Sequence, residues 1–203
     1  MVSVVLLVVA GIEMWCVVRL WRSAEQSGRV LLLAVVGVGI AYDSAVFGLG
    51  TSIGEGALLH GLSVGRFAGH AVLTPLLLWW AVDRVGAGAR WRLVAAVSTA
   101  GLVLWGLAGE LAHVRLIPRS FADTVRYGAE HPAVPIPALV VSVALLAVGV
   151  ILWRREGLRF PLIGVGALIV ASGAAVACPP LGNAGEAAMF AALTCAELVR
   201  RNP

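Results

Sequence analysis

The sequence predicts an all-α membrane protein: one seven-transmembrane-helix bundle, N-terminus outside, C-terminus cytoplasmic. Three observations carry this reading. Of 203 residues, 60% are hydrophobic and only 13% charged, and the mean hydropathy is +0.95; soluble domains sit nearer a quarter charged. Apolar runs recur at lengths close to the about 20 residues that cross roughly 30 Å of hydrocarbon. All 15 basic residues are arginine, and they gather in alternate connections.

Taken in order, the spans are expected at about 2–21, 29–49, 67–86, 92–112, 135–153, 160–178 and 184–199 of a single domain, residues 1–203. The first reads as a retained span and not a signal peptide. It lacks a basic start, carries Glu13, and shows no small-residue cleavage site before Arg19. The second to fifth are long and clean. The sixth is rich in Gly and Ala, which suits close packing against neighbouring helices. The seventh is short and carries Glu186 and Glu197.

Two connections are long. Residues 50–66 hold Gly50, Gly54 and Gly56 with a short apolar piece, read as a half-helix returning to the interface. In residues 113–134, Ser120 and Asp123 match a loose capping box, which predicts a helix from Phe121 to Glu130, stopped by Pro132, Pro135 and Pro137. One alternating set of connections carries Arg19, Arg22, Arg29, Arg84, Arg90, Arg92, Arg154, Arg155, Arg159, Arg200 and Arg201. The other holds Arg66, Arg115, Arg119 and Arg126. Cytoplasmic loops carry the arginine excess, and this sets the orientation.

Several function classes fall away. Without lysine there is no Schiff base. Net charge of +4 comes from arginines that flank spans, so no nucleic-acid partner is expected. Cys16, Cys178 and Cys195 make neither a zinc spacing nor a disulfide framework. The glycines from Gly48 to Gly56 follow no strand, so they are not a nucleotide fingerprint. Asp43, His60, His70, Glu110 and His113 are metal-ligating types, but no pair has a motif spacing; neither a metal nor another cofactor is expected.

The chemistry concentrates at one depth. At 1.5 Å per residue, Asp43 lies roughly 21 Å up the second span, His70 about 6 Å below the start of the third, and Glu110 roughly 27 Å up the fourth. Glu186 opens the seventh, with Asn183 as its cap. Arg66 and His70 share a helix face at i, i+4. Polar groups this close to lipid are costly and mark sites. The expected site is therefore an outer-leaflet cavity between spans two, three, four and seven. Asp43, His70, Glu110 and Glu186 are its acid–base groups, and Tyr42, Arg66, Trp105 and Asn183 its binding groups. Each also has a local explanation at the interface. Glu13, deeper, is expected to bond a backbone carbonyl; Glu197 to pair with Arg200 and Arg201; Asp83 with Arg84; and Trp79, Trp80, Trp91 and Trp153 to form an aromatic belt.

The function these residues favour is an intramembrane enzyme of the cell membrane, using acid–base chemistry on a lipid or isoprenoid as a cyclase or isomerase would. In length, span count and sparse buried acids the chain is similar to small seven-helix membrane terpene cyclases; the similarity is architectural, and no residue is carried over. The alternatives are a small transporter, a lipid-binding or sensor protein, or a structural subunit with a membrane-protein partner.

Overall fold

The computed structural model describes residues 1–23, 27–131 and 134–199. Arg200, Arg201 and Pro132, invoked above, lie outside them. Apolar runs must close their backbone hydrogen bonds internally, and the described chain is mostly helical. Its helices are α1 (Val2–Trp21), α2 (Gly28–Ile53), α3 (Ala57–Arg84), α4 (Ala89–Leu104), α5 (Ile136–Glu156), α6 (Phe160–Ala174) and α7 (Pro180–Val199). Five are long and apolar enough to cross a bilayer: α1, α2, α3, α4 with its π-helical continuation Trp105–Leu111, and α5. α6 has only 15 residues. α7 has 20 but is diluted by polar ones. Ser27 caps α2, its hydroxyl accepting from the Val30 N–H at 3.4 Å.

Two expectations about the connections are corrected. Residues 57–66 are not a separate half-helix; they are the first turns of a continuous α3. Gly54 (φ +79°) and Gly56 (φ +156°) supply the left-handed backbone that reverses the chain at once. Nor is there a helix over 121–130. Leu116–Phe121 and Thr124–Ala129 form an antiparallel hairpin, β1 and β2, with Phe121 paired to Thr124. Ile117, Thr124, Val125 and Tyr127 favour strand, and Ala122 takes φ +51° in the two-residue turn.

Asp123 does cap a helix, but the helix is α1. Its carboxylate accepts from the Val2 N–H at 2.7 Å and the Ser3 hydroxyl at 2.6 Å, and meets the amino group of Met1. The hairpin sits on the ends of α2 and α3. Thr51 donates to the Asp123 carbonyl at 2.7 Å, and the Tyr127 N–H donates to Ser63 at 3.3 Å. Gly50 is required here: a Cβ on it would lie 1.6 Å from the Val125 carbonyl oxygen.

The core runs between α2, α3, α5, α6 and α7, with Leu33, Trp80, Leu152, Val165 and Phe190 fully buried. Its end opposite the hairpin is closed by ions. Glu197 accepts from Arg29 at 2.9 Å and from the Trp80 indole at 3.1 Å; its other ionic neighbour is Arg84, at 3.6 Å. Arg84 donates twice to Glu156, at 2.8 and 2.7 Å. Asp83 meets Arg29 and Arg92. Hence Asp83 does not pair with Arg84, and Trp80 is no belt residue. Burial of long side chains within the bundle overrides the sequence-local pairing.

Candidate functional site

Three helices bring five of the expected residues together. Asp43 faces inward from α2. On α3 the i, i+4 spacing puts Arg66 and His70 on the face opposite it, and on α7 the i, i+3 spacing does the same for Asn183 and Glu186. Arg66 Nε donates to Asp43 Oδ1, and Asn183 donates to Asp43 Oδ2 at 2.6 Å and to Ser44 at 3.2 Å. His70 Nε2 stands 3.6 Å from Asp43 Oδ1 and 3.9 Å from Glu186 Oε1. Asp43 and Arg66 are buried, whereas His70 keeps 43% of its side chain exposed. Asn183 lies inside α7, which begins at Pro180, and so is a ligand of Asp43 and not the cap expected of it.

His70 and Glu186 line one end of a cavity of about 100 Å³, open on one side. Its other walls are almost wholly apolar, with Ile40, Leu73, Val141, Leu145, Leu168 and Met189 prominent and Thr74, Ser142 and Ser172 as the remaining polar side chains. The volume matches about three waters' share of liquid. α5 and α6 supply the walls expected from the fourth span. α4 instead lies on the flank of α3, with Ala95 its only buried residue.

The hairpin roofs this cluster. The Phe47 ring, fully buried, lies 5.7 Å from the Arg66 guanidinium and 4.4 Å from that of Arg126. Both distances suit cation–π attraction. Burial first, and then the neighbouring Arg66 charge, push the Arg126 guanidinium down to about 10.

The remaining expected residues stand elsewhere. Tyr42 donates to the Leu62 carbonyl at 2.8 Å and tethers α2 to α3 beside the cluster. Trp105 is 53% exposed on the outer flank. Glu110 lies in the π-helical segment, and its carboxyl bonds no described residue. Sequence reasoning missed Ser44 and the serines of α5 and α6; a lone hydroxyl in an apolar run gives no signal of what it faces.

Asp43, His70 and Glu186 offer three ligand atoms within 4.8 Å of one another, a set able to hold a divalent ion. Arg66 and Asn183 already engage both oxygens of Asp43, however, and Arg66 supplies the positive charge an ion would bring. What the arrangement offers chemically is an imidazole between two carboxylates, one fixed and one facing an apolar space. Comparison with protein-family models, curated proteins and solved structures found no match for the chain.

Proposed function

We propose that the chain is a multi-pass protein of the cell membrane, with seven spans, its N-terminus outside and its C-terminus cytoplasmic. The hairpin end would then face outward and the arginine-rich end inward, as the arginine bias requires. We further propose that the His70–Glu186 cavity is the acid–base site of an intramembrane enzyme acting on a lipid or isoprenoid.

One observation carries this reading. His70 and Glu186 present proton-transfer groups to a cavity whose other walls are apolar apart from the hydroxyls of Thr74, Ser142 and Ser172, while Asp43, fixed by Arg66 and Asn183, stands behind His70. Glu186 Oε2 is buried with no hydrogen-bond partner among the described residues, so no existing bond holds this carboxyl in its charged form. Glu186 would protonate one carbon of a double bond, and His70 would take a proton from a carbon adjacent to the resulting cation, directly or after ring closure. Return of that proton from His70 to Glu186 resets the pair, so the substrate is isomerised or cyclised with no net proton gained or lost. An apolar wall protects a cation from water during such a step. The cavity admits a small branched head, leaving the rest of the molecule in the membrane.

The test is turnover of isoprenoid alkenes and epoxides by the purified protein in lipid nanodiscs, after mass spectrometry of the lipids it retains. Asp43→Asn and Glu186→Gln should lose about a hundredfold or more in rate. Glu110→Gln, outside the cavity, should match the parent. Retained activity in folded Asp43→Asn and Glu186→Gln variants ends the proposal.

A further inference from the structure

Glu13 is not used by the site, and its surroundings are unusual. It lies about 16 Å along α1 from Val2, is 1% exposed, and neither carboxyl oxygen has a hydrogen-bond partner among the described residues. The backbone carbonyl expected to bond it does not do so. Burying a polar group without partners is costly, so a carboxyl kept only for packing would be satisfied or replaced. A second orphan lies nearby on α7: Thr194 is 3% exposed and its hydroxyl is also unpartnered.

These orphans fall in the middle of a line of polar groups that runs the length of the bundle between α1, α2 and α7. From the cavity, Glu186 and Asp43 lead through Asn183 to Ser44. Ser44 faces the Glu13 carboxyl without closing a full hydrogen bond, and the charges of Glu186 and Asp43 act on it. One turn along α1, Cys16 faces Thr194, with Cys195 beside it. One turn along α7 from Thr194 is Glu197, which belongs to the ionic cluster at the far end. Hydrogen-bonded and ionic groups anchor the two ends, and at the centre the Glu13 carboxyl and the Thr194 hydroxyl are both open among the described residues. A group that can gain or lose a proton without breaking an existing bond is what a relay needs, and acids within spans mark such relays.

We propose that α1, α2 and α7 hold a proton path from the His70–Glu186 cavity to the Arg29–Arg84–Glu197 cluster, with Glu13 as its central carrier. Each hop would break an O–H bond on one carboxyl, hydroxyl or bridging-water oxygen and form one on the next, so only the proton moves. The Asn183 amide holds Asp43 and Ser44 in place and does not itself carry the proton. Between Glu13 and Thr194, a water would find the two to four polar partners it needs. The path does not depend on what enters the cavity.

The experiment is proton entry into vesicles holding the full chain and a trapped pH-sensitive dye, driven by a potassium diffusion potential. The parent should admit protons faster than protein-free vesicles, Glu13→Gln should fall to the protein-free level, and Glu13→Asp should keep part of the flux. Thr194→Val should slow it. A hydrophobic carbodiimide should modify Glu13 in the parent and abolish the flux. Should Glu13→Gln fail to assemble, the modified parent decides: blocked flux supports the path, and undiminished flux refutes it. Parent vesicles no leakier than empty ones, or a folded Glu13→Gln that conducts like the parent, overturn the proposal.

Discussion

Asn183 on α7 donates to Asp43 on α2 at 2.6 Å, and through the same amide nitrogen to Ser44. One side chain thereby fixes the rotamer of the acid behind His70 and ties two helices distant in sequence. Asn183→Ala leaves a buried carboxylate oxygen and a hydroxyl short of a partner, a loss of about 1–3 kcal/mol. The thermal midpoint in detergent should fall accordingly. An unchanged midpoint would show that Asp43 is held by Arg66 alone.

The ionic cluster at the other end makes a sharper prediction. Glu197 and Arg84 are nearly inaccessible, with side-chain exposures of 2% and 0%. Removing one partner of a buried pair typically costs about 3–5 kcal/mol, because the other charge stays behind. Glu197→Gln should therefore destabilise far more than Glu130→Gln, whose contact with Arg115 is largely solvated. Equal midpoints for the two variants would contradict the burial described here.

Gly50→Ala tests how closely the hairpin is seated. The added methyl would meet the Val125 carbonyl at 1.6 Å, and a backbone atom cannot swing aside. The hairpin must lift, and overpacking of this kind costs about 1–3 kcal/mol. Limited proteolysis at Arg119 and Arg126 should accelerate. Gly61→Ala, with open space around its Cβ, is the matched control and should leave cleavage unchanged.

Asp123 carries a pH dependence. The Met1 amino group, the Ser3 hydroxyl and the Val2 N–H hold its carboxyl below the usual carboxylate range. A folded-state pKa lower than the unfolded one contributes stability above the unfolded value, about 3.9, and that contribution fades as pH falls through the folded one. Protection of the first amides of α1 against hydrogen exchange, relative to the intrinsic rate at each pH, should therefore fall below about pH 4. Asp123→Asn should exchange fast already at neutral pH, with less further change on acidification. Identical pH profiles would remove the carboxylate as the cause.

The proposed orientation predicts labelling by an impermeant thiol reagent in a cysteine-free background. Ser120→Cys, in β1, should react from outside the cell and Ser27→Cys, at the start of α2, only after permeabilisation. The reverse pattern would invert the topology.

How much of this was legible in the sequence differs by length scale. The helices fell where apolar runs were long, because length and composition alone decide that a segment must close its own hydrogen bonds. Arg66 with His70, and Asn183 with Glu186, came together because i, i+4 and i, i+3 spacings place residues on one helix face. Partners far apart in sequence were not legible. Glu197 looked complete with its neighbouring arginines, yet its described partners, Arg29 and Trp80, are 168 and 117 residues away. The hairpin was misread because Ser120 and Asp123 fit a capping pattern while strand-forming residues around them pointed the other way. Glu110 shared the right depth with the site but belongs to a helix on the wrong side of α3. Depth along the bilayer is one coordinate, and a site needs all three.

The Asp123 cap also bears on how the protein is built. The opening N–H groups of α1 are met by a residue 121 positions later, so they lack this partner until that residue has been synthesised. Its flank packs on α7, which lies further still along the chain. Nascent α1 must therefore wait with an unfinished end until Asp123 and α7 have been synthesised. Truncations that end before Asp123 should leave α1 exposed to quality-control proteases, so chain length at release, and not the stability of α1 itself, would decide whether the first helix survives.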